Sequence, residues 1–191
     1  MLTSIAHWWS FGVLTAVVVA AAAVDIKTGK IHNLITYPAI AAGLIGHALV
    51  GGLTGRPGVM GLGDALAGLA LGSTLILAWL AGGIGGGDAK LTAAIGALMG
   101  WRFTLSAMFW GFVVAALMAV IVMIRKRIVR RTLGRIWRFV ALAFTPGKPA
   151  DPATADSPKI PFGLAICIGS AVAVVEALLL GPGGLKLLQG M

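Results

Sequence analysis

Residues 82–99 read Gly-Gly-Ile-Gly-Gly-Gly-Asp-Ala-Lys-Leu-Thr-Ala-Ala-Ile-Gly-Ala-Leu-Met, a glycine-dense turn with one carboxylate running into an apolar stretch. From Ala89 to Met99 the stretch is apolar enough for a bilayer and too short to cross one. At ~1.5 Å per residue it reaches about 17 Å, against roughly 30 Å of hydrocarbon. The pattern predicts a short helix inside a membrane protein, with Asp88 recessed below the surface rather than at its rim. Five other stretches, at about 5–24, 34–53, 62–81, 103–124 and 162–181, meet or approach the ~20 residues a span requires. The expected fold is an all-α integral membrane protein of about six transmembrane helices, one of them short. A single polytopic domain would then cover residues 1–191.

Composition agrees. Of 191 residues 59% are hydrophobic and 11% charged, and mean hydropathy is +0.98. That much apolar surface cannot be enclosed in a water-facing globule of this size. A net charge of +9 would suggest nucleic acid in a soluble domain. Here its distribution carries the meaning, and no nucleic-acid partner is expected. With residues 25–33 inside and the loops alternating, all of the fifteen basic residues except Arg56, Arg102 and Lys186 fall on the cytoplasmic side, as the positive-inside rule requires. The same assignment puts both termini outside and returns Asp25, at the end of the first apolar stretch, to the same face as Asp88. The run ending at Ala21-Ala22-Ala23 imitates a secretory signal, but no Lys or Arg precedes Lys27 and further spans follow, so it is read as a retained span.

Residues at about 125–161 stand apart. From Arg125 to Arg138, arginines alternate with Ile128, Val129, Leu133, Ile136 and Trp137 at helical spacing. This is the pattern of an amphipathic helix on the anionic lipid of the inner leaflet. The plainer reading is a cluster that stops transfer and fixes orientation. Residues 145–161, with Pro146, Pro149, Pro152, Pro158 and Pro161, read as an extended cytoplasmic loop.

Carboxylates are costly inside a bilayer and tend to be functional there. Asp25 and Asp88 on one face meet the minimum geometry for hydrolysis by a carboxylate pair, one group taking a proton from water while the other donates to the carbonyl oxygen. The start of a helix favours the charged form at Asp88, and the end of a helix disfavours it at Asp25. Lys27, Lys30 and Lys90 lie close enough in sequence to reverse that assignment. Gly85, Gly86 and Gly87 would admit a substrate backbone, or else serve as a flexible turn or packing contact. A second tetrad, Gly61-Leu62-Gly63-Asp64, falls on the opposite face and reads as a helix-starting carboxylate. Glu176, inside the last stretch, reads as structural, paired with Arg102 or reaching water. His7, His32 and His47 form no HExxH, and Cys167 forms no CxxC, so neither a metal nor any other cofactor is expected.

Three segments, Asp25-Ile-Lys-Thr-Gly-Lys-Ile31-His32-Asn33, Gly85-Gly86-Gly87-Asp88-Ala89-Lys90-Leu91 and Lys159-Ile160-Pro161-Phe162-Gly163-Leu164-Ala165-Ile166, resemble the signatures of type IV prepilin peptidases. They are most similar to short forms associated with tight-adherence (Flp) pilus systems. The resemblance implies an aspartyl endopeptidase of the bacterial inner membrane that removes the short basic leader of prepilins on the cytoplasmic side. Asp25 and Asp88 match its catalytic aspartates. Gly85, Gly86, Gly87, Lys90, Asn33, Pro161 and Gly163 match residues expected to bind substrate or shape the site. Two departures stand out. His32 replaces a common proline, leaving Asn33 to cap the second helix, and the paired CxxC motifs of the methyltransferase region are missing, so methylation is not expected. The first tetrad also resembles that of presenilin-like proteases, but the accompanying Tyr-Asp step is Tyr37-Pro38 here. A small cation or proton transporter and a non-catalytic pilus-assembly scaffold are the competing readings. The sequence leaves the oligomeric state open.

Overall fold

The computed structural model describes residues 5–56, 58–81, 84–130, 132–134, 137 and 162–180. Among them the regular elements are helices, and the only extended pairing is an isolated bridge between Arg56 and Val59. Helix α1 spans Ile5–Thr28, α2 Asn33–Gly51, α3 Leu62–Ser73 and α4 Leu75–Leu80. A 40-residue helical run follows, Gly86–Arg125. At ~1.5 Å per residue it would be about 60 Å long, twice the hydrocarbon thickness. It is broken at Gly100, where φ is 74° and ψ 175°, a conformation essentially reserved for glycine. The break separates α5 (residues 86–99) from α6 (residues 101–125). Helix α7, Phe162–Leu180, closes the set.

Five stretches are long and apolar enough to cross a bilayer. The chain is thus an all-α membrane protein, and dividing the 40-residue run leaves α5 as an additional apolar helix too short to cross by itself. Helix α5 begins at Gly86, three residues before the apolar stretch that predicted it. Pro38, which reads as a turn signal, lies inside the early part of α2.

By compactness the chain divides into two units, Met1–Val114 with Pro161–Met191, and Ala115–Ile160. Contacts in the first unit fix the helix directions. Asp25 faces Gly163 and Val18 faces Cys167, so α1 and α7 are antiparallel. Lys90 reaches Asn33 and Leu98 reaches His47, so α2 and α5 are parallel. Gly72 touches Thr92 and Gly68 touches Gly96, so α3 and α5 are antiparallel, their backbones in contact where a side chain would not fit. Helix α5 is enclosed by its neighbours, with every residue from Leu91 to Gly100 buried.

Breaking a helix at Gly100 strands the last carbonyls of α5 where no water can reach them, and each orphaned group in hydrocarbon costs several kcal/mol. His47 answers one of them. Its Nε2 lies 2.8 Å from the Leu98 carbonyl oxygen, and since a carbonyl only accepts, Nε2 carries the proton. The ring is buried and packs on Trp9 at a centroid distance of 5.0 Å. Thr104 Oγ1 donates to the Gly100 carbonyl at 2.7 Å.

In the second unit α6 ends in a Schellman motif. Arg127 N–H donates to the Ile124 carbonyl and Ile128 N–H to the Met123 carbonyl, each at 3.0 Å. Arg127, at φ 54°, is the one non-glycine residue with positive φ among those described. Glycine is favoured at that position, and a side chain there costs about 1–2 kcal/mol.

Candidate active site

The end of α1 and the starts of α2, α5 and α7 meet at one end of the first unit, and the sequence-expected residues gather there. Asp25 lies in the last turn of α1, and its backbone carbonyl accepts the N–H of Gly29, which takes the left-handed conformation (φ 63°) that ends the helix. Its side chain is 7% exposed, and Oδ2 is buried with no hydrogen-bond partner among the described residues. A buried carboxylate oxygen without a donor is rare and costly, and marks a place where something else is to be bound. Gly163 closes over it. A methyl group at position 163 would stand 2.7 Å from Asp25 Oδ2, so glycine there is what leaves the carboxylate room.

Asp88 sits in the first turn of α5, half-buried. Gly85 is the helix N-cap. Asp88 N–H donates to the Gly85 carbonyl at 3.1 Å, and the Asp88 carboxylate folds back beside Gly85, where an added methyl group would stand 2.8 Å from Oδ2. This is the placement of a capping-box acid, at the third helical position and reaching back to the cap. Asp25 and Asp88 lie within electrostatic range of each other. Ile31 stands between their two surroundings. A methyl group on Gly87 would be 3.0 Å from Ile31 Cβ, and one on Gly163 2.9 Å from Ile31 Cδ1.

The other expected residues divide. Lys90 Nζ donates to Asn33 Oδ1 at 2.9 Å and stands 5.5 Å above the Tyr37 ring, so these two residues tie the start of α2 to the start of α5. Asn33 does not cap α2. The cap is His32, with no side-chain hydrogen bond, and Asn33 is the first helical residue, its side-chain oxygen taken by Lys90 instead. Pro161 lies outside the described residues. Trp79, which sequence reasoning passed over, covers the glycine turn. A methyl group on Gly86 would meet its Nε1 at 2.9 Å, and the indole is 46% exposed. No periodicity or motif marks this tryptophan, which reads equally well as an interfacial aromatic.

Asp64 proves to be the same local device in another place. Its Oδ2 accepts the Gly61 N–H at 3.3 Å, at the start of α3. Gly100 lies against the Asp64 backbone, since a methyl group there would be 3.6 Å from its carbonyl oxygen. From residue 88 to residue 100 the run climbs about 18 Å, so the two tetrads occupy opposite ends of α5. Glu176 is bound by Ser106 and Trp110 rather than by Arg102. Its Oε2 accepts from Ser106 Oγ at 2.6 Å and from Trp110 Nε1 at 3.1 Å, while Arg102 rests on the Trp101 ring.

Residues 12–120, more than half of the chain and inclusive of both Asp25 and Asp88, match the model of the type IV leader peptidase family. The chain belongs to this family. It is therefore a multi-pass membrane protein of a protease family, with leader-bearing prepilins the substrate class that the family implies. Comparison with curated proteins and with solved structures gives no match. The matched residues of the peptidase include the glycine turn with Asp88 and stop before α7, which contributes Gly163.

Proposed function

We propose that this leader peptidase is an aspartyl endopeptidase that removes the short basic leader of Flp-type prepilins at the cytoplasmic face of the bacterial inner membrane, with Asp25 and Asp88 as its catalytic pair. The observation that carries the reading is the buried, donor-free Oδ2 of Asp25 within electrostatic range of a second carboxylate. Hydrolysis by such a pair needs one carboxylate ionised and the other protonated. The ionised member takes a proton from a water molecule as the water oxygen attacks the scissile carbonyl carbon. The protonated member gives its proton to the carbonyl oxygen. Collapse of the tetrahedral intermediate returns that proton to the carboxylate and expels the amine, which takes up the proton removed from water. Gly85, Gly86 and Gly87 let an extended substrate backbone lie close to Asp88, and Lys90 with Asn33 holds α2 beside it. The basic residues on the loops at this end support a cytoplasmic orientation under the positive-inside rule.

Co-expression with a candidate Flp-type prepilin, scored by gel mobility and by sequencing of the new N-terminus, tests the assignment. Asp25→Asn and Asp88→Asn should each lower cleavage by at least about 10²–10⁴-fold, the range of a lost acid or base, while the protein still inserts and accumulates. Normal processing by either variant would falsify the pair.

A further inference from the structure

The turn that ends α6 has an unusual composition. Arg125, Lys126, Arg127 and Arg130 are all exposed, and no acidic residue occurs between Asp88 and Asp151. The Schellman geometry would be met more cheaply by glycine at position 127, so the arginine there is not explained by the turn it occupies. Beyond the turn the chain is helical again at residues 129–130, 132–134 and 137, the first new turn closed by Thr132 N–H donating to the Ile128 carbonyl at 2.9 Å. Leu133 and Trp137, one helical turn apart and thus on one side, are 57% and 74% exposed. An uncovered Leu/Trp face therefore adjoins four exposed cations, all in the Ala115–Ile160 unit.

We propose that this segment is a binding surface for anionic phospholipid, with Leu133 and Trp137 entering the acyl boundary and Arg125, Lys126, Arg127 and Arg130 holding headgroup phosphates. Two observations choose a lipid as occupant. The segment leaves a membrane-spanning helix directly at Arg125, so it is tethered in the headgroup layer without any diffusional search. Its cations have no acidic neighbours along the chain to neutralise them, and Arg is the side chain suited to bidentate phosphate contacts. Part of the charge also complements the carbonyl end of α6, which accounts for Arg125 and leaves Arg127 and Arg130 in surplus. The proposal stands apart from the peptidase assignment and survives or fails without it.

The test is lipid-selective quenching of Trp137. The full-length protein is reconstituted in vesicles of equal phosphatidylglycerol and phosphatidylcholine with one of the two lipids brominated, and the Trp137 signal is taken as the difference from Trp137→Phe. Brominated phosphatidylglycerol should quench more strongly. That preference should shrink by up to about fivefold for each cation removed, in Arg127→Gly and then in Arg125→Gln/Arg127→Gly/Arg130→Gln. Arg127→Gly keeps the turn, because glycine suits the left-handed position, so its effect reads charge rather than misfolding. Equal quenching by the two lipids, or an unchanged preference in both variants, overturns the proposal. Absence of quenching by either lipid also overturns it, and makes an acidic protein surface the occupant to seek.

Discussion

Asp88 and Asp64 each reach back to a glycine cap three residues earlier, and among the described residues Asp88 is the one of the two with a second carboxylate for company. The chemistry proposed for Asp88 accordingly depends on Asp25 and not on the tetrad. Asp64→Asn should retain leader cleavage and lose about 0.3–1 kcal/mol of helix-end stabilisation, read as a small drop in thermal midpoint. A correctly inserted Asp64→Asn that no longer cleaves, beside an active Asp88→Asn, would put the site on the other tetrad. The glycines that shape the site should also differ in tolerance. A methyl group at Gly163 meets the buried Asp25 carboxylate at 2.7 Å, whereas one at Gly86 meets the half-exposed indole of Trp79, which has room to swing away. Gly163→Ala should therefore lower kcat by tenfold or more, on the scale of about 1.4 kcal/mol or above, and Gly86→Ala by less. Equal loss in the two variants would mean that Gly163 is not placed to position Asp25.

At the scale of elements, the decisive feature is the enclosed half-length helix α5 and the side chain that completes its far end. His47→Leu removes the donor to the Leu98 carbonyl and should cost about 1–3 kcal/mol, the penalty for a buried acceptor left unpaired. His47→Gln, which can donate from nearly the same place, should recover part of it. Chemical or thermal unfolding in detergent checks both, and equal stability of the three proteins would show that the Leu98 carbonyl finds another donor. How much of this was legible beforehand follows from the kind of interaction. Apolar length and the placement of lysines and arginines act through composition, so the membrane fold, the short helix and the shared face of Asp25 and Asp88 could all be read. The break at Gly100 was visible only as a length that did not fit. Asn33 was misassigned because local capping rules do not know that Lys90, far along the chain, competes for its side-chain oxygen. Ile31 and Trp79 reach the site purely through packing, and Glu176 met Ser106 and Trp110 across α6 and α7, which no spacing in the sequence announces.

For the whole molecule, the charge asymmetry makes a prediction about sidedness that needs no substrate. In a Cys167→Ala background, Lys30→Cys should react with a membrane-impermeant thiol reagent only from the cytoplasm and Thr54→Cys only from outside, since both positions are exposed and α2 lies between them. Reaction of both from the same side would invalidate the assignment of the catalytic end to the cytoplasm. Three of the crossings, Asn33–Gly51, Leu62–Leu80 and Phe162–Leu180, are each 19 residues long, or about 28 Å, slightly less than an average hydrocarbon layer. Membrane thickness thereby becomes a control on the enzyme. Longer acyl chains must either thin around the protein or draw its ends inward, and the end drawn inward carries two aspartates that have to meet water. Cleavage of a fixed substrate should fall as the acyl chains of the reconstituting lipid lengthen, and an activity indifferent to chain length would show that the site reaches water by a route independent of the bilayer surface.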